Sequence, residues 1–378
     1  MSADSASFFA RTLADWFAAN GRDLPWRHAP TPYQVWVSEL MLQQTQVVTV
    51  IPYYNKWMAR FPTVESLAEA SIEEVNGLWA GLGYYRRARY LHEGARVVVD
   101  SCGGAFPSDI VQLQKITGIG AYTAGAIAAF AFGQDVPAID GNAERVLSRY
   151  GGIYGDLSRG EPRRRIVEFA QQVVQIAGGA VINQAIMDLG ATICRKKADC
   201  DKCPLKSQCY ACRNALAEAL PQKKAKSTKW LEYRAALLLE SADHRYLVAM
   251  TKSDALLGNL WEFPMQTIFR EREDAADAAA GARNIVRQSR KAMWQTMLGN
   301  LSPALGRVMP KPADIEITHI FTHIRMHILV DCAKVQQSSQ SLECDGGGYE
   351  RYAWLTREQI LAAPISTMMK KIVLRMPD

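Results

Sequence analysis

Residues 113–149 decide how this chain is read: Leu113-Gln114-Lys115-Ile116-Thr117-Gly118-Ile119-Gly120-Ala121-Tyr122-Thr123-Ala124-Gly125, and then Ala138-Ile139-Asp140-Gly141-Asn142 through Arg145 to Arg149. Ser108 can cap a short helix whose apolar residues Ile110, Leu113 and Ile116 recur at helical spacing. Gly118 and Gly120 then break it, and neither carries a Cβ to hinder a tight turn or a close ligand. A second helix is predicted from about Ala121, with small residues that allow close helix packing. A glycine hairpin leading into a helix aims backbone N–H groups at one point and suits a phosphate. An ordinary αα-hairpin is the competing reading.

The remaining sequence sets the frame. At 378 residues the chain suits two domains, and 48% hydrophobic content is ample for packed cores. A formal net charge of +6 favours a polyanionic partner. The N-terminus lacks a basic segment followed by an apolar core, and no run of eighteen apolar residues exists, so neither a signal peptide nor a membrane span is expected. Eight cysteines in such a chain read as thiols or metal ligands. An intracellular protein is the default expectation, monomeric and nucleoid-associated if the polyanion is DNA.

In chain order, residues 6–20 read as an amphipathic helix. Pro32 is expected to begin a helix reaching Thr45, on which Glu39 shares a mostly apolar stripe with Val35, Trp36, Leu42 and Gln43. A desolvated carboxylate there would have a raised pKa and serve as a general acid; a glutamate turned to solvent is the alternative. Residues 64–100 look helical, broken at 81–89, where glycines, Tyr84, Tyr85 and three arginines combine close approach, stacking surface and phosphate affinity. A solvated basic turn is the rival. Gln184 and Asp188 fall one turn apart in a further helical region, 160–192. Cys194, Cys200, Cys203 and Cys209 then crowd into sixteen residues, which suits a [4Fe–4S] cluster better than a zinc ribbon, with Cys212 a nearby fifth thiol. Residues 213–229 read as a basic linker. Beyond it, strands are expected at 233–240 and 246–250, alternation at 315–330 and more strands near 350, giving a small α+β domain. His319, His323 and His327 could form a metal face on a helix, but the alternating isoleucines around them favour a strand.

The hairpin followed by Asp140-Gly141-Asn142 resembles the helix-hairpin-helix and aspartate loop of base-excision DNA glycosylases, most closely the MutY family of adenine glycosylases. Where many members have Leu-Pro-Gly-Val-Gly, this chain has Ile116-Thr117-Gly118-Ile119-Gly120, a loss of rigidity but of no donor. The resemblance implies a mainly α glycosylase domain over 1–212 with an iron–sulfur loop at 194–209, the linker 213–229, and an α+β Nudix-like lesion-recognition domain over 230–378. It implies further that Trp26 and Arg27 line the pocket for an extruded base, with Leu42 beside it and Gln44 as the wedge filling the gap in the duplex. Tyr84 maps onto a tyrosine inserted next to the lesion base, Gln184 onto a position that often contacts the base, and Gly118 and Gly120 onto the DNA-binding hairpin. Phe321-Thr322-His323 resembles the family's Phe-Ser-His loop for 8-oxoguanine, with an added methyl on Thr322. The four cysteines match the cluster ligands, although the first spacing is five residues where the family has six. No Nudix catalytic box follows Pro264, which argues against nucleotide hydrolysis.

Breaking an N-glycosidic bond requires a protonated leaving base and a negative charge near an oxocarbenium-like sugar. Glu39 is assigned as the acid that later activates water, and Asp140 as the group that stabilises or bonds to the sugar, if their environments push their pKa values apart. Asp140 also reads as a helix N-cap. Asn142 and Tyr122 would position these groups. Bifunctional relatives resembling endonuclease III carry a Schiff-base lysine where this chain has Tyr122, so base removal without strand cleavage is expected. The expected partner is duplex DNA with adenine opposite 8-oxoguanine or guanine. A glycosylase/lyase and a catalytically silent DNA-damage sensor are the alternatives.

Overall fold

The computed structural model describes residues 2–222, 228–273, 289–290, 293–299, 301, 305, 308–339 and 348–376. Residues 223–227 of the expected linker lie outside that set. Contacts divide the chain into two units, one of residues 1–70 and 90–225, the other of residues 71–89 and 226–378.

Helices build the first unit: α1 (Ala3–Asn20), α2 (Pro32–Leu42), α3 (Val47–Arg60) and α4 (Val64–Ala68) precede α5 (Ile72–Trp79), which belongs to the second unit. Then come α6 (Arg86–Cys102), α7 (Ile110–Leu113), α8 (Ala121–Phe130), α9 (Gly141–Gly151), α10 (Gly160–Ala177), α11 (Gly179–Thr192) and α12 (Tyr210–Arg213). The apolar faces of α1, α9, α10 and α11 enclose one core, in which Phe9 meets Tyr150 and Phe169 edge-on. The small residues of α8 are buried, and α2 packs on this helix. At Gly125 even a Cβ would meet the Pro137 carbonyl at 2.6 Å.

Local boundaries differ from expectation in two places. Asp109, not Ser108, caps α7, its side chain accepting from the Gln112 N–H. Helix α2 ends at Leu42 rather than Thr45, because Gln44 adopts φ +58°, a left-handed conformation that stops helical hydrogen bonding. The start of α2 is firmly set: Thr31 and Gln34 form a reciprocal capping box and Pro32 occupies the first turn.

The second unit holds strands β1 (Trp230–Glu240), β2 (Tyr246–Met250), β3 (Trp261–Glu262), β4 (Met265–Arg272), β5 (Lys311–Ile320), β6 (Ile324–Lys334) and β7 (Arg351–Leu355), followed by α13 (Arg357–Ala362) and α14 (Thr367–Val373). Among the described residues they form one mixed sheet, with β1 parallel to β6 and antiparallel to β2 and β4. Alternate residues of β1 enter two cores: Ala236 and Leu238 join Phe263, Ile328 and Met369, while Leu237 and Leu239 join Leu247, Trp294 and Leu298. The expected α+β architecture is therefore present. His319 and His327 lie on strands β5 and β6, so no helical histidine face exists there. Residues 71–89 cluster with this unit through the Asn76 amide on the Asn259 carbonyl at 3.0 Å, the Tyr85 hydroxyl on the Ile365 carbonyl at 2.9 Å, and the Arg351–Glu73 ion pair at 2.9 Å. Among the described residues no helix is long and apolar enough to cross a membrane.

Candidate active site

Position 39 falls on the buried side of α2, between Ser38 and Leu40, and the Glu39 side chain is only 6% exposed. The Tyr122 hydroxyl, from the first turn of α8, donates to Glu39 Oε2. Burial pushes the Glu39 carboxyl up to about 7; the Tyr122 hydrogen bond opposes this, the nearby Asp140 charge adds to it, and Arg27 opposes it weakly.

Asp140 caps α9 with Oδ1, which accepts from the Ala143 N–H at 2.7 Å, while Oδ2 accepts from the Asn142 side-chain amide at 2.7 Å. Burial raises its pKa too, but those two hydrogen bonds and the Arg145 charge favour the ionised form. The cap and the charged group are one residue. Each carboxyl thus has its own kind of environment, apolar for Glu39 and donor-rich for Asp140.

Both carboxyl groups line one open cavity of about 1350 Å³ in the first unit. Trp26, Arg27, Leu42, Gln44, Tyr122, Asn142 and Gln184 line it as well. Arg22, Arg145, Arg195 and Lys196 make its wall cationic, a match for a polyanion. Exposed Gln44 stands at the end of α2 in its left-handed conformation, and Val48 beside it is 72% exposed. Gly118 and Gly120 do not line the cavity. Gly118 takes φ +85° and a Cβ there would meet Tyr90 Cβ at 2.7 Å, whereas Gly120 has open space around it and begins α8 without any side-chain cap.

Two arginine networks brace the cavity. On one side, α11 presents Gln184 and Met187 to it, while Asp188, buried on the same helix, reaches the loop before α2. Its carboxylate accepts from Arg27 Nη1 and Nη2 at 2.9 and 2.8 Å, and from the backbone N–H, Nε and Nη2 of Arg22 at 2.9, 2.8 and 2.6 Å. On the other side, Arg145 was not singled out from sequence. Its Nη2 donates to Asn142 Oδ1 at 2.7 Å and to the Gly190 carbonyl at 2.8 Å, and its Nε donates to the Cys194 carbonyl at 2.8 Å. The Arg145 guanidinium therefore joins the cysteine loop to the amide that holds Asp140. Its position one turn after Asn142 on α9 was the available signal.

Cys194, Cys200, Cys203, Cys209 and Cys212 line a small cavity together with apolar neighbours such as Ile193 and Ala211, and with Arg149 and Asp199. Burial pushes the Cys203 thiol up to about 12 and the Cys200 thiol up to about 11. Among the described residues no three ligating side chains converge tightly enough to hold one metal ion. The buried guanidinium of Arg149 donates to Cys194 Sγ at 3.3 Å and to the backbone carbonyls of Leu220, Arg195 and Lys196. Thiols spread around an apolar hollow with a cation at its edge are a donor set that fits an anionic multi-iron cluster.

In the second unit, Tyr84 is 49% exposed at φ +50°. Arg87 ties its turn together, donating from Nη2 to the carbonyls of Leu82 and Gly83 at 3.2 and 2.9 Å, with its guanidinium over the Trp79 and Tyr84 rings. Phe321-Thr322-His323 forms the link between β5 and β6, with Thr322 and His323 exposed and the Phe321 N–H on the Ile324 carbonyl at 2.8 Å.

Comparison with known proteins agrees with these features. The profile of the HhH-GPD superfamily of base excision DNA repair proteins matches residues 37–199, and that of the Nudix domain matches residues 235–375. An adenine DNA glycosylase of Arabidopsis thaliana is 37% identical over 86% of this chain and 56% of its own length. One from Rattus norvegicus is 34% identical over 96% of this chain and 77% of its own length. Among solved structures, a thermostable thymine-DNA glycosylase superposes with a TM-score of 0.52 and 28% identity, over 56% of this chain and 98% of its own.

Proposed function

Because the chain belongs to the adenine DNA glycosylase family, whose members are hydrolytic DNA N-glycosylases, we propose that it removes adenine paired with 8-oxoguanine or guanine in duplex DNA. The observation that carries this reading is one cavity lined by two carboxyl groups of opposite character, a buried Glu39 raised to about 7 and an Asp140 held by N–H donors. Protonated Glu39 donates to the departing base, and its conjugate base then takes a proton from the attacking water. Ionised Asp140 faces the positive charge that develops on the sugar. Tyr122 holds the Glu39 carboxyl in place, and Asn142 does the same for Asp140.

The base must leave the helical stack first, at a cost of roughly a few kcal/mol. Trp26 and Arg27 receive it in this reading, Gln44 and Tyr84 occupy the duplex, and the uncapped start of α8 at Gly120 meets a phosphate. Phe321, Thr322 and His323 read the opposite 8-oxoguanine. Tyr122 has no amine with which to form a Schiff base, so the sugar–phosphate backbone survives the reaction. Cys194, Cys200, Cys203 and Cys209 would hold a [4Fe–4S] cluster, which when bound would tie down the loop that carries Arg195 and Lys196 and supply no bond-breaking chemistry. Residues 1–212 and 230–378 act as catalytic and reading domains.

The test incubates the protein with duplexes holding adenine opposite 8-oxoguanine, guanine or thymine, followed or not by alkali. Breaks that need alkali, and occur only with the first two, support the reading. Breaks without alkali, or borohydride trapping of protein on DNA, show a lyase, and binding without any base release shows a sensor.

A further inference from the structure

The carboxylate of Asp188 is 1% exposed and takes five hydrogen bonds, all from Arg22 and Arg27, across more than 160 residues of sequence. These bonds join α11 to the segment before α2, in which Leu24 and Trp26 are buried. Among their donors is Arg27, whose Nη1 is further used on the Arg22 carbonyl at 2.9 Å and whose guanidinium lies over the Phe17 ring at 5.5 Å. Arg27 is thereby fixed in plane and direction where it enters the cavity that Glu39 also enters.

We propose that Asp188 is a positioning residue for base release: it holds Arg27 in one orientation in the cavity wall and offsets part of the charge of the Arg22–Arg27 pair, so that Glu39 remains the proton donor. The inference rests on the reading of Glu39 as the acid. The groups that face Glu39 are Tyr122 from α8, Asp140 at the start of α9, and Arg27 from the loop before α2, with Arg22, Arg145, Arg195 and Lys196 also in the wall. Its own helix adds no further charge. Of the influences on Glu39, the Arg27 charge is the one that opposes protonation through space. Burial would raise the Asp188 pKa, but the hydrogen bonds from Arg27 and Arg22 hold it below the ordinary value, so Asp188 carries its charge throughout the working pH range.

Asp188→Asn removes the counter-charge that Arg22 and Arg27 share, and the added positive charge in the wall favours ionised Glu39. The basic limb of the single-turnover pH–rate profile is expected to move down by about one pH unit, a roughly tenfold loss at pH 8 with the rate at pH 5.5 changed less than about threefold. Asp188→Glu should restore most of the limb, and adding Arg27→Gln to Asp188→Asn should return its midpoint to the wild-type position or above. A uniform loss at every pH with an unmoved midpoint would mean that Asp188 only supports the fold, and would overturn the proposal. Should Asp188→Asn fail to fold by circular dichroism, Arg27→Gln alone decides. A midpoint within about 0.3 unit of wild type is expected, and a rise of a full unit would show that the cation is not offset. If the wild-type protein releases no adenine, the reading of the site falls, whatever these variants do.

Discussion

At the scale of single residues, Glu39 contributes a pH dependence whose sign follows from its burial. Its folded-state pKa lies at about 7 against an ordinary 4.5, chiefly through burial, so between these values the folded chain binds a proton that the unfolded chain has lost. The stabilisation this proton brings is full below pH 4.5 and is lost as pH rises through 7. Above that the ionised, buried group costs about 3 kcal/mol. Glu39→Gln should therefore abolish base release, leave DNA binding intact, and melt at a higher temperature than wild type at pH 8 but not at pH 4.5. Calorimetry at both pH values checks this. Wild-type activity should fall as pH rises past 7. Periodicity placed Glu39 one turn after Val35 and Trp36 but left a solvent-facing glutamate open, and the resemblance of its helix decided for burial. Its Tyr122 partner came only from resemblance, since helical periodicity says nothing about a contact 83 residues away.

At the scale of elements, the hairpin entering α8 separates two glycines that look alike in sequence. Gly118 is required by its own fold, with φ +85° and Tyr90 Cβ 2.7 Å from any added Cβ, while Gly120 is flanked by open space at φ −85°. Gly118→Ala should lower stability by about 1–3 kcal/mol, seen as a lower urea midpoint. Gly120→Ala should leave that midpoint unchanged and weaken DNA binding instead, since its methyl stands where a phosphate would approach the helix. Equal destabilisation of both variants would remove Gly120 from the DNA-binding surface. A hairpin of this type could be read from the spacing of its glycines, but the sign of a backbone dihedral could not. Similarly, the sequence pattern started α2 at Pro32 without its Thr31 cap and carried it three residues past Leu42, because glutamine gives no warning of a left-handed turn.

At the scale of the whole molecule, the basic stretch near 221–229 made the succession of a helical and an α+β region readable in advance, and the profiles that match 37–199 and 235–375 follow the same order. The affiliation of residues 71–89 was not readable, because an amphipathic helix reveals that it has a partner but not which one. Iron analysis of protein purified without oxygen should find about four irons per chain, and Cys203→Ser should lower that number together with the melting temperature. Because Arg145 links the Cys194 carbonyl to Asn142, the same variant should also slow base release at saturating protein. Removing residues 226–378 takes away the Asn259, Arg351 and Ile365 contacts of Asn76, Glu73 and Tyr85, and amide exchange over 72–85 should accelerate while that over α10 does not. For anyone recombining glycosylases, a chimera that swaps only the segment after the linker would therefore inherit mismatched halves. The nineteen residues 71–89, exposed Tyr84 among them, have to travel with the donor's C-terminal half as a matched pair.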